Sequence, residues 1–385
     1  MQPSDFSPAA PGRVVKVHTG FWAYVPNPLP PPLDSTWQLA GLAAEAHRQV
    51  GELAGLARTL PNPHLLIRPF VRREAVLSSR IEGTEASLSD LFFFEAAPMP
   101  AQAAGDVVEV ANYVKALEYG LTRLADLPVS LRLLREMHEC LMTGVRGRHL
   151  APGEFRRSQN WIGPPGCSLA EATYVPPPVD LLDATLADLE RYVHARSDLP
   201  PLVRLALIHY QFEAIHPFLD GNGRIGRLLI TLLLCVWGLM PQPVLYLSAF
   251  FERHRSEYYD RLLAVSRRTE WDLWIEYFLA GVCSQAQDAR DRSKRLLDLR
   301  ETYRDRLQSA RASALLLRLV DELFAAPAVT IPRAAAVLDV TPRAAQLNVD
   351  KLVGAGVLHE ASGRRRNRIF VAREIVAILE QVFTQ

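Results

Sequence analysis

At 385 residues, 49% hydrophobic and 22% charged, the chain has the composition of a folded globular protein and too much length for one ordinary core. Two or three domains are expected. With 43 basic against 42 acidic residues, a net charge of +1, the chain as a whole announces neither a polyanionic partner nor a membrane surface.

The opening "MQPSDFSPAAPGR" lacks the basic and apolar regions of a signal peptide. The longest apolar run, "LLITLLLCVWGLM" from Leu228 to Met240, is too short for a membrane span and suits a buried helix. Cys140, Cys167, Cys235 and Cys283 are scattered, without CxxC or zinc spacing. A reduced, soluble, cytoplasmic protein without membrane contact is expected.

Helical periodicity dominates and strand-like alternation is scarce, so the fold class is mainly α. Residues 1–35 form a tail ending in the polyproline-like "PNPLPPPL". An Ala/Leu-rich helix runs from Trp37 to about Leu60, and "PFVRREAVLSSRIEG" gives a second, stopped by Gly83. A third begins near Asp106, closing an N-terminal helical region over 36–125.

A core is expected over 126–290. "PVSLRLLREMHECLMTG" and "VDLLDATLADLERYVHAR" supply helices, and "GEFRRSQNWIGPPGCSLAEATYVPPP" between them suggests a hairpin or ordered loop. Residues 291–312 form a charged helical connector. From 313 to 385 three short helices and a turn with an adjoining strand have the order of a winged helix-turn-helix.

"HPFLDGNGRIGR", His216 to Arg227, concentrates the chemistry. Pro217 disfavours the α conformation at His216, so a helix ends there and the imidazole projects into "LDGNG". "RIGRLLITLLL" then starts a helix whose first N–H groups point back at that loop. Gly221 and Gly223 let backbone amides approach an anion, and Arg224 and Arg227 add two guanidinium forks on one face. Asp220 at the mouth suits magnesium, which takes one or two carboxylates plus phosphate oxygens. His216 is the natural general base for a hydroxyl nucleophile. Each residue alone is more often structural; their conjunction describes phosphoryl or nucleotidyl transfer.

The stretch matches the Fic signature HxFx[DE]GNGRxxR at every specified position, and the chain resembles the Fic family, mainly α-helical enzymes that transfer AMP from ATP to protein hydroxyls. The resemblance implies that His216 deprotonates the target and Asp220 binds Mg2+. It further implies that Asn222 contacts the α-phosphate, that the Gly221 and Gly223 amides form the anion hole, and that Arg224 and Arg227 hold the β- and γ-phosphates. In the related Doc kinases a lysine follows the asparagine; Gly223 here favours adenylylation over phosphorylation. "DVVEVANYVKAL", "GEFRRSQNWIG" and "YVPPP" extend the likeness to bacterial Fic proteins with an N-terminal extension and a C-terminal winged helix.

"SSRIEG" places Ser78 and Glu82 one helical turn apart before Gly83, and matches the inhibitory motif [ST]xxxE[GN] of autoinhibited Fic proteins. A carboxylate on Arg227 would occupy the fork meant for the γ-phosphate. The stretch after Gly153 resembles the Fic flap, which pairs with a target main chain; Ile162, Tyr174 and Val175 are its candidates, against an equal reading as packing residues. "SEYYDRL" matches the family's adenine contacts, making Tyr258 and Tyr259 base-pocket candidates against a reading as core aromatics.

In the C-terminal module nine Lys/Arg face seven Asp/Glu, with Arg364, Arg365, Arg366 and Arg368 in the wing. Arg343 and Gln346 at the recognition helix make DNA one candidate partner, beside dimerisation and target docking. The expected function is a Mg2+-dependent protein adenylyltransferase acting on Tyr, Thr or Ser of a target or of itself, with ATP as substrate, held off by Glu82 and homodimeric by resemblance. Removal of AMP, or a DNA-binding regulator with a nucleotide-sensing core, are the alternatives.

Overall fold

The computed structural model describes the chain apart from residues 18–19, 35, 60–63, 99–104, 146–149, 309–313, 364–366 and 382–385. The expected tail is a correction: β1 (Gly12–Lys16) and β2 (Trp22–Pro26) pair antiparallel, in register Gly12↔Pro26 to Lys16↔Trp22. β2 earns its place by burial, since Ala23, Tyr24 and Val25 are all in the core. Gly12 permits the pairing, because a β-carbon there would collide with Val25 O and the Tyr24 ring.

Helices dominate the rest, as composition and periodicity predict. α1 (Trp37–Thr59), α2 (His64–Ile81), α3 (Leu88–Ala96) and α4 (Asp106–Arg123) make the N-terminal region. Gly83, in the left-handed region at φ 94°, ends α2 as expected. α5 (Leu131–Met142), capped by Ser130, packs on α4. After the flap segment come α6 (Val179–His194), α7 (Pro201–Ile215) and α8 (Asn222–Val236). Nearly every side chain of α7 and α8 is buried, and α7 accordingly shows no clean amphipathic stripe in the sequence.

α9 (Ser248–Arg253), α10 (Arg255–Arg268) and the 38-residue α11 (Trp271–Gln308) follow. α11 lies along α1 and runs unbroken through position 290, so the boundary between core and connector falls inside one helix. The end of the expected connector and the start of the expected C-terminal domain lie outside the described residues.

Beyond them stand α12 (Ala314–Ala325), β3 (Ala328–Thr330), α13 (Ile331–Leu338), α14 (Pro342–Gly354), β4 (His359–Glu360), β5 (Ile369–Val371) and α15 (Arg373–Glu380), with sheet order β3-β5-β4, antiparallel throughout. Thr330 and Thr341 cap α13 and α14 through their hydroxyls, each ahead of a first-turn proline. α15 was not anticipated. Its carboxyl end is held by the buried Arg292 of α11, which donates to the carbonyls of Ile378, Leu379 and Gln381 while Asp288 accepts at 2.8 and 2.9 Å.

The C-terminal elements also lean on α2. α12 and α15 both pack against it and Arg68 faces Glu322 at 3.9 Å, while Arg333 donates to the Glu95 carbonyl of α3 at 3.1 Å. No described helix is long and apolar enough to cross a membrane.

Candidate active site

α7 stops where Pro217 requires it to. His216 adopts the left-handed conformation (φ 49°, ψ 61°) and its N–H still reaches Phe212 O at 3.0 Å. Gly221, also left-handed at φ 76°, is the N-cap of α8. The first-turn N–H groups of Asn222, Gly223 and Arg224 lack intrahelical acceptors by position, which makes this end of α8 an anion site in principle.

The intervening loop is held from several directions. Asn222 Oδ1 accepts from Phe218 N–H and Asn222 Nδ2 donates to Phe218 O, both at 2.8 Å. With both ends of its amide on Phe218, the side chain closes the loop. Asn160 donates to His216 O and Phe218 O at 3.1 and 2.8 Å, and Arg156 Nε donates to His216 O at 3.0 Å. His138, on α5, stacks on Phe218 with centroids 3.8 Å apart. Gly153 N–H donates to His138 Nδ1 at 2.9 Å, which places its proton on Nε2, facing Asp220 O at 3.0 Å. Burial lowers His138 to about 4, so this imidazole is neutral.

Sequence reasoning missed His138, Arg156, Asn160 and, below, Glu109. "GEFRRSQNWIG" carried a signal for two of them, but their partners lie 56 to 60 positions away.

His216 is half-buried. Its Nδ1 lies 3.3 Å from the Glu213 carbonyl, an acceptor only, so Nδ1 carries the proton and Nε2 the free lone pair. Burial lowers it to about 4, against the Glu213 carbonyl. Neutral at physiological pH, it is ready to accept a proton. Asp220, with its side chain 43% exposed, accepts from Gly221 N–H at 2.6 Å through Oδ1.

Both arginines face protein carboxylates. Arg224, buried, lies 3.4 Å from Glu109 and 3.6 Å from Asp220. Arg227, 2% exposed, donates Nε to Ser78 Oγ at 2.8 Å, and its Nη2 to Ser78 O at 2.9 Å and Glu82 Oε1 at 2.6 Å. The two motifs, far apart in sequence, thus meet at one guanidinium. Burial works to raise the Glu82 carboxyl, but the charge and hydrogen bond of Arg227 prevail and hold it below its ordinary value.

The remaining candidates divide. Ile162 pairs with Tyr174 as an antiparallel bridge and is 38% exposed, suited to meet another chain. Tyr174 and Val175 point inward: the Tyr174 hydroxyl donates to Ala214 O at 2.8 Å, and Val175 O accepts from Tyr24 N–H at 2.8 Å. These two brace the flap, which corrects their assignment to target contact. Tyr258 is 1% exposed, stacked on Phe251 and paired with His209 Nε2 at 2.8 Å, and is a core residue with no face for a base. Tyr259, on the other side of α10, is 41% exposed and stays a candidate.

In the C-terminal module Arg343 is exposed, while Gln346 donates to Asp350 at 2.7 Å beside a 59%-exposed Leu347. Arg364, Arg365 and Arg366, expected to lie in a wing, fall outside the described residues.

No group of three or more His, Cys, Asp or Glu able to hold a metal occurs among the described residues. Asp220 alone, half-exposed at the open end of α8, fits a magnesium ion that takes its other oxygens from phosphates and water.

The chain belongs to the Fic/DOC family. Residues 40–122 match the Fic/DOC family N-terminal model and residues 128–234 the Fic/DOC family model. Among curated relatives, the protein adenylyltransferase Fic of Drosophila erecta is 32% identical over 135 residues and that of Drosophila virilis 33% over 135 residues. Each match covers 34% of this chain and only 24% of the relative. A Fic family protein from Desulfovibrio desulfuricans G20 shares the fold over 89% of this chain and 98% of its own, with TM-score 0.57 and 20% identity. Fic-1 (residues 134–508) from C. elegans matches 67% of this chain and 74% of its own, with TM-score 0.51 and 20% identity.

Proposed function

We propose that the protein is an adenylyltransferase that moves AMP from ATP to a Tyr, Thr or Ser hydroxyl of a protein, itself included, and that Glu82 holds it off. The observation that carries this reading is the convergence on one helix end of a neutral His216, the glycine-flanked amides and an Arg227 occupied by Glu82.

His216 Nε2 takes the proton of the target hydroxyl; the oxygen bonds to the α-phosphorus of ATP, and the bond to pyrophosphate breaks. The N–H groups of Asn222 and Gly223 face the α- and β-phosphate charge, with Arg224 beside them and Arg227 on the γ-phosphate. Asp220 would hold magnesium, which neutralises phosphate charge. His138, through the Asp220 carbonyl, keeps that residue in place. Ile162, at the exposed edge of the flap, takes the target main chain. Gly223 supports adenylylation, because a lysine there would compete with Glu82 and with the β-phosphate for the same space.

Glu82 supplies the off state. While its carboxylate holds Nη2 of Arg227, whose Nε is on Ser78, the γ-phosphate lacks its clamp and ATP lies out of line for attack. The test uses purified wild type, Glu82→Gly and Glu82→Gly/His216→Ala with magnesium and α- or γ-labelled ATP. Label from α-ATP alone, raised by Glu82→Gly and lost with His216→Ala, is expected. Label from γ-ATP would make the enzyme a kinase. No label, with loss of AMP from an adenylylated protein, would make it a hydrolase of the same bond.

A further inference from the structure

The side chain of Glu213 has no part in the steps above, yet it lies against the site. It stands one turn before His216 on α7, and its side chain turns toward α8, where a β-carbon on Gly226 would collide with Oε1. Gly226 is therefore what admits the carboxyl between the two helices. Once there, Oε1 is buried without a hydrogen-bond partner.

The charged and titratable groups around it come from four elements. Arg227 approaches from α8, Glu82 from the turn after α2 and Tyr258 from α10, while His209 lies one turn earlier on α7 and His216 caps its end. A carboxylate with one oxygen buried and unpartnered is costly to keep charged, and burial raises Glu213 to about 8, with Arg227 pulling down and Glu82 pushing up. Arg227 and Glu82 already cancel one another, so a neutral Glu213 suits the closed pair. Taking Glu82 away leaves Arg227 unopposed beside an acid that then gains by ionising; a phosphate on Arg227 reverses this.

We propose that Glu213 is a second carboxyl of the Arg227 site: it takes up a proton from solvent when the terminal phosphate of a nucleotide settles on Arg227, and releases it when Arg227 stands without an anion. Nucleotide binding and proton uptake are then one event, and ATP affinity in the open enzyme falls as pH rises. This rests on the reading of Arg227 as a phosphate-binding residue. His216, lowered to about 4, and Tyr258, raised well above 10, do not titrate near neutrality. Glu74 on α2 also feels Arg227, but its Oε1 is held by Tyr113 and Ser248.

The experiment is calorimetric titration of Mg-ATP into Glu82→Gly near neutral pH, in two buffers of different ionisation enthalpy, with AMP in parallel. Uptake of a substantial fraction of a proton per ATP, and none per AMP, is expected; the apparent Kd should rise with pH by up to about tenfold per unit. Glu82→Gly/Glu213→Gln and Glu82→Gly/Glu213→Leu should bind ATP without uptake and with a flat pH profile. Intact ATP binding without uptake in Glu82→Gly overturns the proposal, as does uptake that persists in both double variants, which would assign it to Glu74. Equal affinity for ATP in Glu82→Gly and Glu82→Gly/Arg227→Ala would instead overturn the role of Arg227, and this proposal with it.

Discussion

Gly223 and Glu82 are in contact across the site: a β-carbon on Gly223 would collide with Glu82 Oε1 and stand 3.0 Å from an Arg227 nitrogen. Gly223→Ala should therefore destabilise the parent protein by about 1–3 kcal/mol, the usual cost of overpacking. In Glu82→Gly the same change should be neutral or slightly stabilising, since alanine favours a helix. A double-mutant cycle by urea unfolding measures the coupling; additive effects would mean that Glu82 does not rest on Gly223 in solution.

His138→Phe keeps the stack on Phe218 and removes both ring hydrogen bonds, leaving Gly153 N–H and Asp220 O without their partner. Tested in Glu82→Gly, it should lower labelling by about 10–100-fold, the usual cost of losing a group that orients a metal ligand. Retained activity at ordinary magnesium concentrations would remove His138 from the site.

Tyr24 ties the hairpin to the flap through its N–H to Val175 O, and its ring stacks on Phe6 and tilts on Tyr174. Tyr24→Ala should cost about 3–5 kcal/mol. Limited proteolysis should then cut the 162–175 segment faster, and target labelling should suffer more than ATP binding. Tyr24→Phe, which keeps the ring, should leave flap protection near that of the parent.

Stability should pass through a maximum with pH. Buried His138 and half-buried His216, each lowered to about 4 from 6.5, bind fewer protons folded than unfolded, so their contribution is present above 6.5 and lost as pH falls toward 4. Glu74 and Glu213, raised by burial to about 7 and about 8 from 4.5, act oppositely, and their contribution is lost as pH rises through those values. Urea unfolding between pH 6.5 and 8 should show a decline that Glu74→Gln reduces. A flat profile there would mean that neither carboxyl is held protonated.

Much of this was legible in advance. The helical class, the stop at His216–Pro217 and the pairing of two distant motifs on Arg227 follow from local rules and a specific signature. The pairing of β1 with β2 was hidden beside a proline-rich run, and its alternation makes sense only once the flap covers Tyr24. His138 and Glu109 escaped because an isolated polar residue on a helix does not announce which loop it will meet 82 or 115 positions away. Tyr258 and Tyr259 could not be separated by composition; the rotation of α10 on Phe251 buries one and frees the other.

α2 carries Ser78 on one side and receives α12 and α15 on another. Any partner that grips the C-terminal elements better in one placement of α2 than in another must shift the Arg227–Glu82 equilibrium. By thermodynamic reciprocity, a nucleotide on Arg227 then changes that partner's affinity by the same factor, so the catalytic site reports its occupancy outward as surely as it takes instruction.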